Sequence, residues 1–292
     1  MTRRWFLGLA ATLTLLAPAK AQTSHEEVVY GHKMGVALTM DVATPEKSKS
    51  NGIGILWMVS GGWRSDHTSI NPALAKAFTD RGYTFFQVVH GTAPKFTLPE
   101  ILDDIHRSVR FVRTNASRWG VNPDKLGISG GSAGGHLTTM MAAYGGPGKP
   151  DAKDPVDRAS SAVQCAACFY PPTDFLNYGK DDAKAMLNPF LKGYWPVFGI
   201  TEKTSPEEID RLSKTLSPIY GISKATPPIF LIHGDADMLV PIQQSQRLIA
   251  KLKEEGVPCD LVVRPGKGHG WAGIEKDAEL LMDWFDKYLV KK

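Results

Sequence analysis

The pentapeptide Gly130-Gly131-Ser132-Ala133-Gly134 sets a serine among small residues, with a strand-like run (residues 125–129) before it and a helix-like run (residues 133–144) after it. A bare G-x-S-x-G is common by chance in a chain with 28 glycines, so the flanking elements carry the signal. Strand, sharp turn and helix describe a nucleophile elbow, in which small neighbours let the serine adopt a strained turn with its hydroxyl exposed. The amide of Ala133 would then lie at a helix N-terminus, where it can stabilise an oxyanion. A glycine-rich turn in which Ser132 merely caps the helix accounts for the same residues without chemistry.

A serine hydroxyl is a poor nucleophile near neutral pH and needs a base, which in turn needs an orienting acid. Two later segments offer them. The apolar run Ile229-Phe230-Leu231-Ile232-His233 leads into Gly234-Asp235-Ala236-Asp237-Met238-Leu239-Val240-Pro241, and residues 260–264 lead into Pro265-Gly266-Lys267-Gly268-His269-Gly270-Trp271. Each puts a candidate side chain on a loop after a strand, where parallel α/β sheets build their sites. The expected triad is Ser132, Asp237 and His269. Asp235 is a rival acid, although its place next to the strand suits bracing the turn. Asp174, after Tyr170-Pro171-Pro172-Thr173, is a second rival whose commoner role is turn capping.

These motifs, in this order, resemble the α/β-hydrolase superfamily, and within it the branch of small esterases and lipases, acetyl xylan and feruloyl esterases among them, that is related to prolyl oligopeptidases. The resemblance spans roughly residues 28–290, and the Val240-Pro241 pair after the acid is its most specific part. It implies a second oxyanion contributor in a loop written H-G-G-G-W. Here the strand over 53–59 runs into Ser60-Gly61-Gly62-Trp63. Gly61 and Gly62 match the last two glycines, and they join Ala133 in the expected oxyanion hole. Val59 and Ser60 replace the His-Gly and leave the geometry of the hole open.

The resemblance further implies an acyl-enzyme mechanism that needs no metal or organic cofactor. The expected substrates are small-molecule or carbohydrate esters with short acyl groups, such as acetyl or feruloyl. One alternative is an exopeptidase of the prolyl-oligopeptidase type. The chain lacks the large N-terminal propeller of those enzymes and offers no acidic amine clamp beyond Glu207-Glu208. Another is a non-catalytic binding protein on a hydrolase scaffold, which the altered loop favours and the complete triad opposes.

The elements that must position these residues alternate. Strands are expected over 28–30, 37–42, 53–59, 83–89, 126–129, 163–170, 229–233 and 261–263, and helices over 72–81, 99–119, 133–144, 242–255 and 275–289. Ile101, Ile105, Val109 and Val112 repeat at helical spacing and mark a packed face. Such alternation predicts an α/β fold, a mostly parallel central sheet with helices on both faces. The rhythm breaks between 174 and 224, an aromatic-rich stretch that reads as a small lid insertion over the site.

Composition fits one α/β core: 292 residues, 42% of them hydrophobic. The formal charge of +4 is modest and the basic residues are dispersed, so nothing points to nucleic acid. Arg3-Arg4-Trp5-Phe6-Leu7, the apolar run over 8–18 and Ala19-Lys20-Ala21 read as a removable export signal. Its paired arginines resemble a twin-arginine signal. A single domain from Gln22 to the end, in the periplasm or outside the cell and without a stable membrane anchor, is therefore expected. Cys165 and Cys168, three apart in a strand, should face opposite ways as small hydrophobes. Cys259 could pair with one of them, leaving a free thiol.

Overall fold

The computed structural model describes residues 24–290, so the signal-like segment over 1–21 lies outside the described residues. Eight strands form one sheet in the order β1-β2-β4-β3-β5-β6-β7-β8. β1 (Ser24–Lys33) and β2 (Val36–Thr44) form an antiparallel hairpin that joins β4 (Thr84–Val89), also antiparallel. From β4 onward, β3 (Gly54–Val59), β5 (Leu126–Gly131), β6 (Cys165–Phe169), β7 (Ile229–Gly234) and β8 (Cys259–Arg264) run parallel. This is the mostly parallel α/β sheet that the alternation predicts, in the α/β-hydrolase arrangement that the resemblance implies.

Strands β3 to β7 are buried on both faces, so their residues divide between two apolar clusters, while the edge strand β8 stays partly exposed. Ala166 and Cys168 of β6 join one, and Cys165, Ala167 and Phe169 the other. α1 (Pro72–Asp80) contributes Ala75 and Phe78 to the second cluster, together with Leu281 and Phe285 from the helix over 274–289. α2 (Leu98–Thr114) covers the first through Ile101, Ile105, Val109 and Val112, as their spacing predicts. It ends earlier than expected: a 3-10 turn over Ala116–Trp119 follows Asn115. α3 (Ala133–Tyr144) packs on the same side against β5 and β6. All three cysteines are free thiols, and burial pushes those of Cys165 and Cys168 well up.

Beyond the short α4 (Pro155–Arg158), the stretch over 174–224 holds 3-10 turns, α5 (Trp195–Phe198) and α6 (Pro206–Thr215). Ser205 caps α6 by accepting from the Glu208 amide at 3.3 Å. α7 (Gln243–Glu254) and α8 (Ile274–Leu289) complete the chain. No helix among the described residues is long and apolar enough to cross a membrane.

Candidate active site

The strand-to-helix turn at Ser132 is tight because glycines permit it. A Cβ on Gly130 would stand 2.6 Å from the Gly134 carbonyl, and one on Gly134 2.6 Å from the Met58 carbonyl oxygen. No real Cβ fits there, so helix and strands approach only if both positions are bare. Ser132 itself has φ 55° and ψ −119°, a conformation that costs a non-glycine residue about 1–3 kcal/mol. Its amide donates to the Phe169 carbonyl at 3.1 Å and its carbonyl accepts from the His136 amide at 2.8 Å. The strain is held by neighbours on both sides.

The structure brings Ser132, His269 and Asp237 together. Ser132 Oγ lies 2.7 Å from His269 Nε2, and His269 Nδ1 lies 2.7 Å from Asp237 Oδ2. An ionised Asp237 fixes the proton on Nδ1, leaving Nε2 to accept from the serine hydroxyl. The Asp237 side chain is wholly buried. Burial raises its pKa, but hydrogen bonds with His233 and His269 and from the Val240 amide outweigh that and hold it well below the usual carboxylate range. Asp237 Oδ1 accepts from the amides of Leu239 and Val240, both at 2.9 Å.

The rival acids are engaged elsewhere. Asp235 is exposed and accepts the Gly266 amide at 2.6 Å, bracing the turn after β8. Asp174 accepts from the Asn177 side chain (3.0 Å), the Tyr220 hydroxyl (2.9 Å) and Arg247 Nε (3.1 Å).

The oxyanion loop differs from the expectation in one donor. Gly61 and Arg64 form an isolated bridge in which the Gly61 amide donates to the Arg64 carbonyl at 3.0 Å. Its N–H is therefore spent, and Gly61 leaves the candidate hole. The amides of Gly62 and Ala133 have no acceptor among the described residues, and both residues line the cavity at Ser132. Gly62 has φ +55°, and a Cβ there would press on the Tyr194 ring at 3.3 Å. Ser60, where the resemblance expects glycine, bonds His90 Nε2 at 2.9 Å, while His90 Nδ1 meets the Gly91 carbonyl at 2.8 Å. The carbonyl requires an N–H at Nδ1, so Ser60 Oγ–H donates to Nε2. The Val59 carbonyl in turn accepts from Ser65 Oγ at 2.5 Å.

Three supporting histidines went unread in the sequence. Buried His233 stands 3.3 Å from Asp237 Oδ2, donates Nε2–H to the Val240 carbonyl at 2.8 Å and meets Ser245 Oγ at 2.7 Å. His136 accepts from Trp63 Nε1 at 3.2 Å and donates to the Leu216 carbonyl at 2.8 Å. It thus ties the oxyanion loop to α3 and to the 174–224 stretch. Burial pushes His90 and His136 down to about 4, keeping both neutral. His233 alone left a trace, four residues before Asp237 at a strand end.

Two spaces meet at Ser132. One, about 30 Å³, is bounded by Gly62, Ala133, Phe175, Leu191 and Tyr194, so the 174–224 stretch walls it. The other, about 500 Å³, is open and is lined by His269, Tyr170, Trp57 and Ser60. No group of three or more His, Cys, Asp or Glu side chains suited to a metal ion occurs among the described residues.

Comparison with known proteins places this geometry. The sequence model of the BD-FAE family matches residues 40–252. Esterase LipQ of Mycobacterium tuberculosis is 30% identical over 63% of this chain and 41% of its own length. The probable carboxylic ester hydrolase LipM of the same organism is 27% identical over 78% of this chain and 51% of its own. The chain thus spans about half the length of the curated relatives it matches. Among solved structures, a truncated carbohydrate esterase from gut microbiota superposes with a TM-score of 0.74 at 23% identity, covering 94% of this chain and 99% of that one. The thermophilic esterase Est2 of Thermogutta terrifontis, with butyrate bound, gives 0.72 at 24% identity over 91% and 93%. At these identities the likeness establishes the fold.

Proposed function

The chain belongs to the BD-FAE family, and on that premise we propose that it is an exported serine hydrolase of short-chain carboxylic esters, with O-acylated carbohydrate as the substrate class. The observation that carries this reading is the relay Ser132 Oγ–His269 Nε2–Asp237, both links at 2.7 Å.

His269 Nε2 takes the Ser132 proton as Oγ attacks the ester carbonyl. Asp237 holds the imidazole and stabilises its charged form. The oxyanion is met by the amides of Gly62 and Ala133, each worth on the order of 3 kcal/mol in such sites. His269 then returns the proton to the leaving alcohol, an acyl-Ser132 forms, and water attacks it by the reverse path. Because His269 must reach the leaving oxygen, the alcohol belongs in the 500 Å³ cleft that His269 lines. The acyl group belongs in the small cavity, whose 30 Å³ suits acetyl and not a long chain.

The named activities of the relatives, and the carbohydrate esterase among the structural neighbours, favour the same substrate class. Export rests on the charged and apolar N-terminal run. The peptidase alternative gains no support: Glu207 and Glu208 sit in the first turn of α6, and Glu208 pairs with Arg211 at 2.6 Å.

The test is hydrolysis of p-nitrophenyl acetate by the protein and by Ser132→Ala. Turnover is expected to fall by about 10⁴-fold or more in the variant. Near-normal turnover would overturn the assignment.

A further inference from the structure

A second cleft, about 550 Å³, opens beside the oxyanion loop and shares Gly61, Gly62 and Tyr194 with the leaving-group cleft. Three groups in its lining have no partner among the described residues. Phe190 is 93% exposed although its ring is large and apolar. Its backbone turn is braced, because Asn188 Oδ1 accepts the Phe190 amide at 3.0 Å. The Arg64 guanidinium meets no acceptor among the described residues, whereas Arg107, Arg211 and Arg264 all pair with carboxylates. Arg64 is also anchored, its main chain locked by the two-way bridge to Gly61 at 3.0 Å. The Tyr194 hydroxyl likewise finds no partner among the described residues, and its ring lies against Gly62.

An apolar ring, a free guanidinium and a free hydroxyl around one cleft match a sugar that carries a carboxylate. The C–H face of a pyranose covers a phenyl ring, and a carboxylate engages a guanidinium through two parallel hydrogen bonds. A neutral sugar would leave Arg64 unused. An acyl group is directed to the small cavity at Ser132, which Tyr194 also lines. We propose that this cleft is a subsite for a uronate unit of the acylated glycan, one unit removed from the sugar that bears the ester. The proposal rests on the reading of the protein as an ester hydrolase with its alcohol beside His269.

The experiment compares kcat/KM on O-acetylated xylo-oligosaccharides that bear or lack a glucuronate unit, with p-nitrophenyl acetate run on the same preparations. The protein is expected to prefer the acidic oligosaccharide, and 0.5 M NaCl to erode that preference. Arg64→Gln should lower the ratio of acidic to neutral kcat/KM about tenfold, the loss of a charge-assisted pair. Phe190→Ala should raise KM for both oligosaccharides, and its side chain is too exposed to support the fold. An absent preference, or a ratio unmoved in Arg64→Gln while p-nitrophenyl acetate still turns over, would overturn the subsite alone. Failure of p-nitrophenyl acetate turnover in the folded protein would overturn the hydrolase reading and the subsite with it.

Discussion

Asp237 and Asp235 stand two residues apart, yet the structure gives them opposite environments. Asp237 is buried, accepts two backbone amides and faces two imidazoles, while Asp235 is exposed and holds only the Gly266 amide. Asp237→Asn keeps the volume but puts an amide where the Nδ1 proton of His269 must be accepted, favouring the wrong tautomer. Its kcat on p-nitrophenyl acetate should fall by about 10³–10⁴. Asp235→Asn should stay within about threefold, and the reverse order would move the acid to Asp235. The two aspartates were separable in the sequence because loop position relative to a strand end is a one-dimensional property. The donors of the oxyanion hole were not. Whether Gly61 or Gly62 presents its N–H depends on φ at Gly62 and on the return bridge from Arg64, neither of which leaves a mark in residue types. The buried histidines 90 and 136 were silent for a related reason: a neutral imidazole bonded to backbone carbonyls has no characteristic spacing.

Strand β5 and helix α3 position the serine by approaching each other, and the closeness is set by what is absent from Gly130 and Gly134. Gly134→Ala would place a methyl 2.6 Å from the Met58 carbonyl, and backbone cannot swing aside as a long side chain can. The substitution should cost about 2 kcal/mol in urea unfolding and lower kcat together with stability, since it displaces the Ala133 amide. Equal stability would show that the helix tolerates a shift. The alternation of strands and helices was legible because parallel strands buried on both faces read as unbroken apolar runs. The 174–224 stretch was legible as an interruption and as a lid-like insertion, but not in its inner detail. Its 3-10 turns are too short to show a period, so the role of Leu191 as a cavity wall could not be read. Leu191→Ala should enlarge the acyl side and raise kcat/KM for butyrate relative to acetate several-fold, each newly accommodated methylene being worth about 0.8 kcal/mol. An unchanged chain-length profile would move the acyl group out of that cavity.

At the scale of the whole molecule, the histidines that support the site also make its stability depend on pH. His90 and His136 are each held near 4 by burial, and so is His106, which lies away from the site on α2 and meets Ser161 Oγ at 2.9 Å, whereas an unfolded chain titrates all three near 6.5. Above about pH 6.5 both states are neutral at these positions and the full stability is present. As the pH falls from about 6.5 towards 4, the unfolded chain binds protons that the folded one cannot, so stability is lost across that window, and the slope from these groups ends below 4. Each fully buried histidine contributes up to about 3 kcal/mol. Asp237, whose pKa is depressed, adds its own loss only below about pH 4 and does not blur the window. Urea unfolding between pH 7.5 and 4.5 should show a falling free energy, and His136→Gln should reduce the slope by close to one proton, since glutamine does not titrate. An undiminished slope in that variant would mean that His136 is protonated in the folded state. The Trp63 indole could then no longer donate to it, and the link between the oxyanion loop and α3 would have to be made some other way.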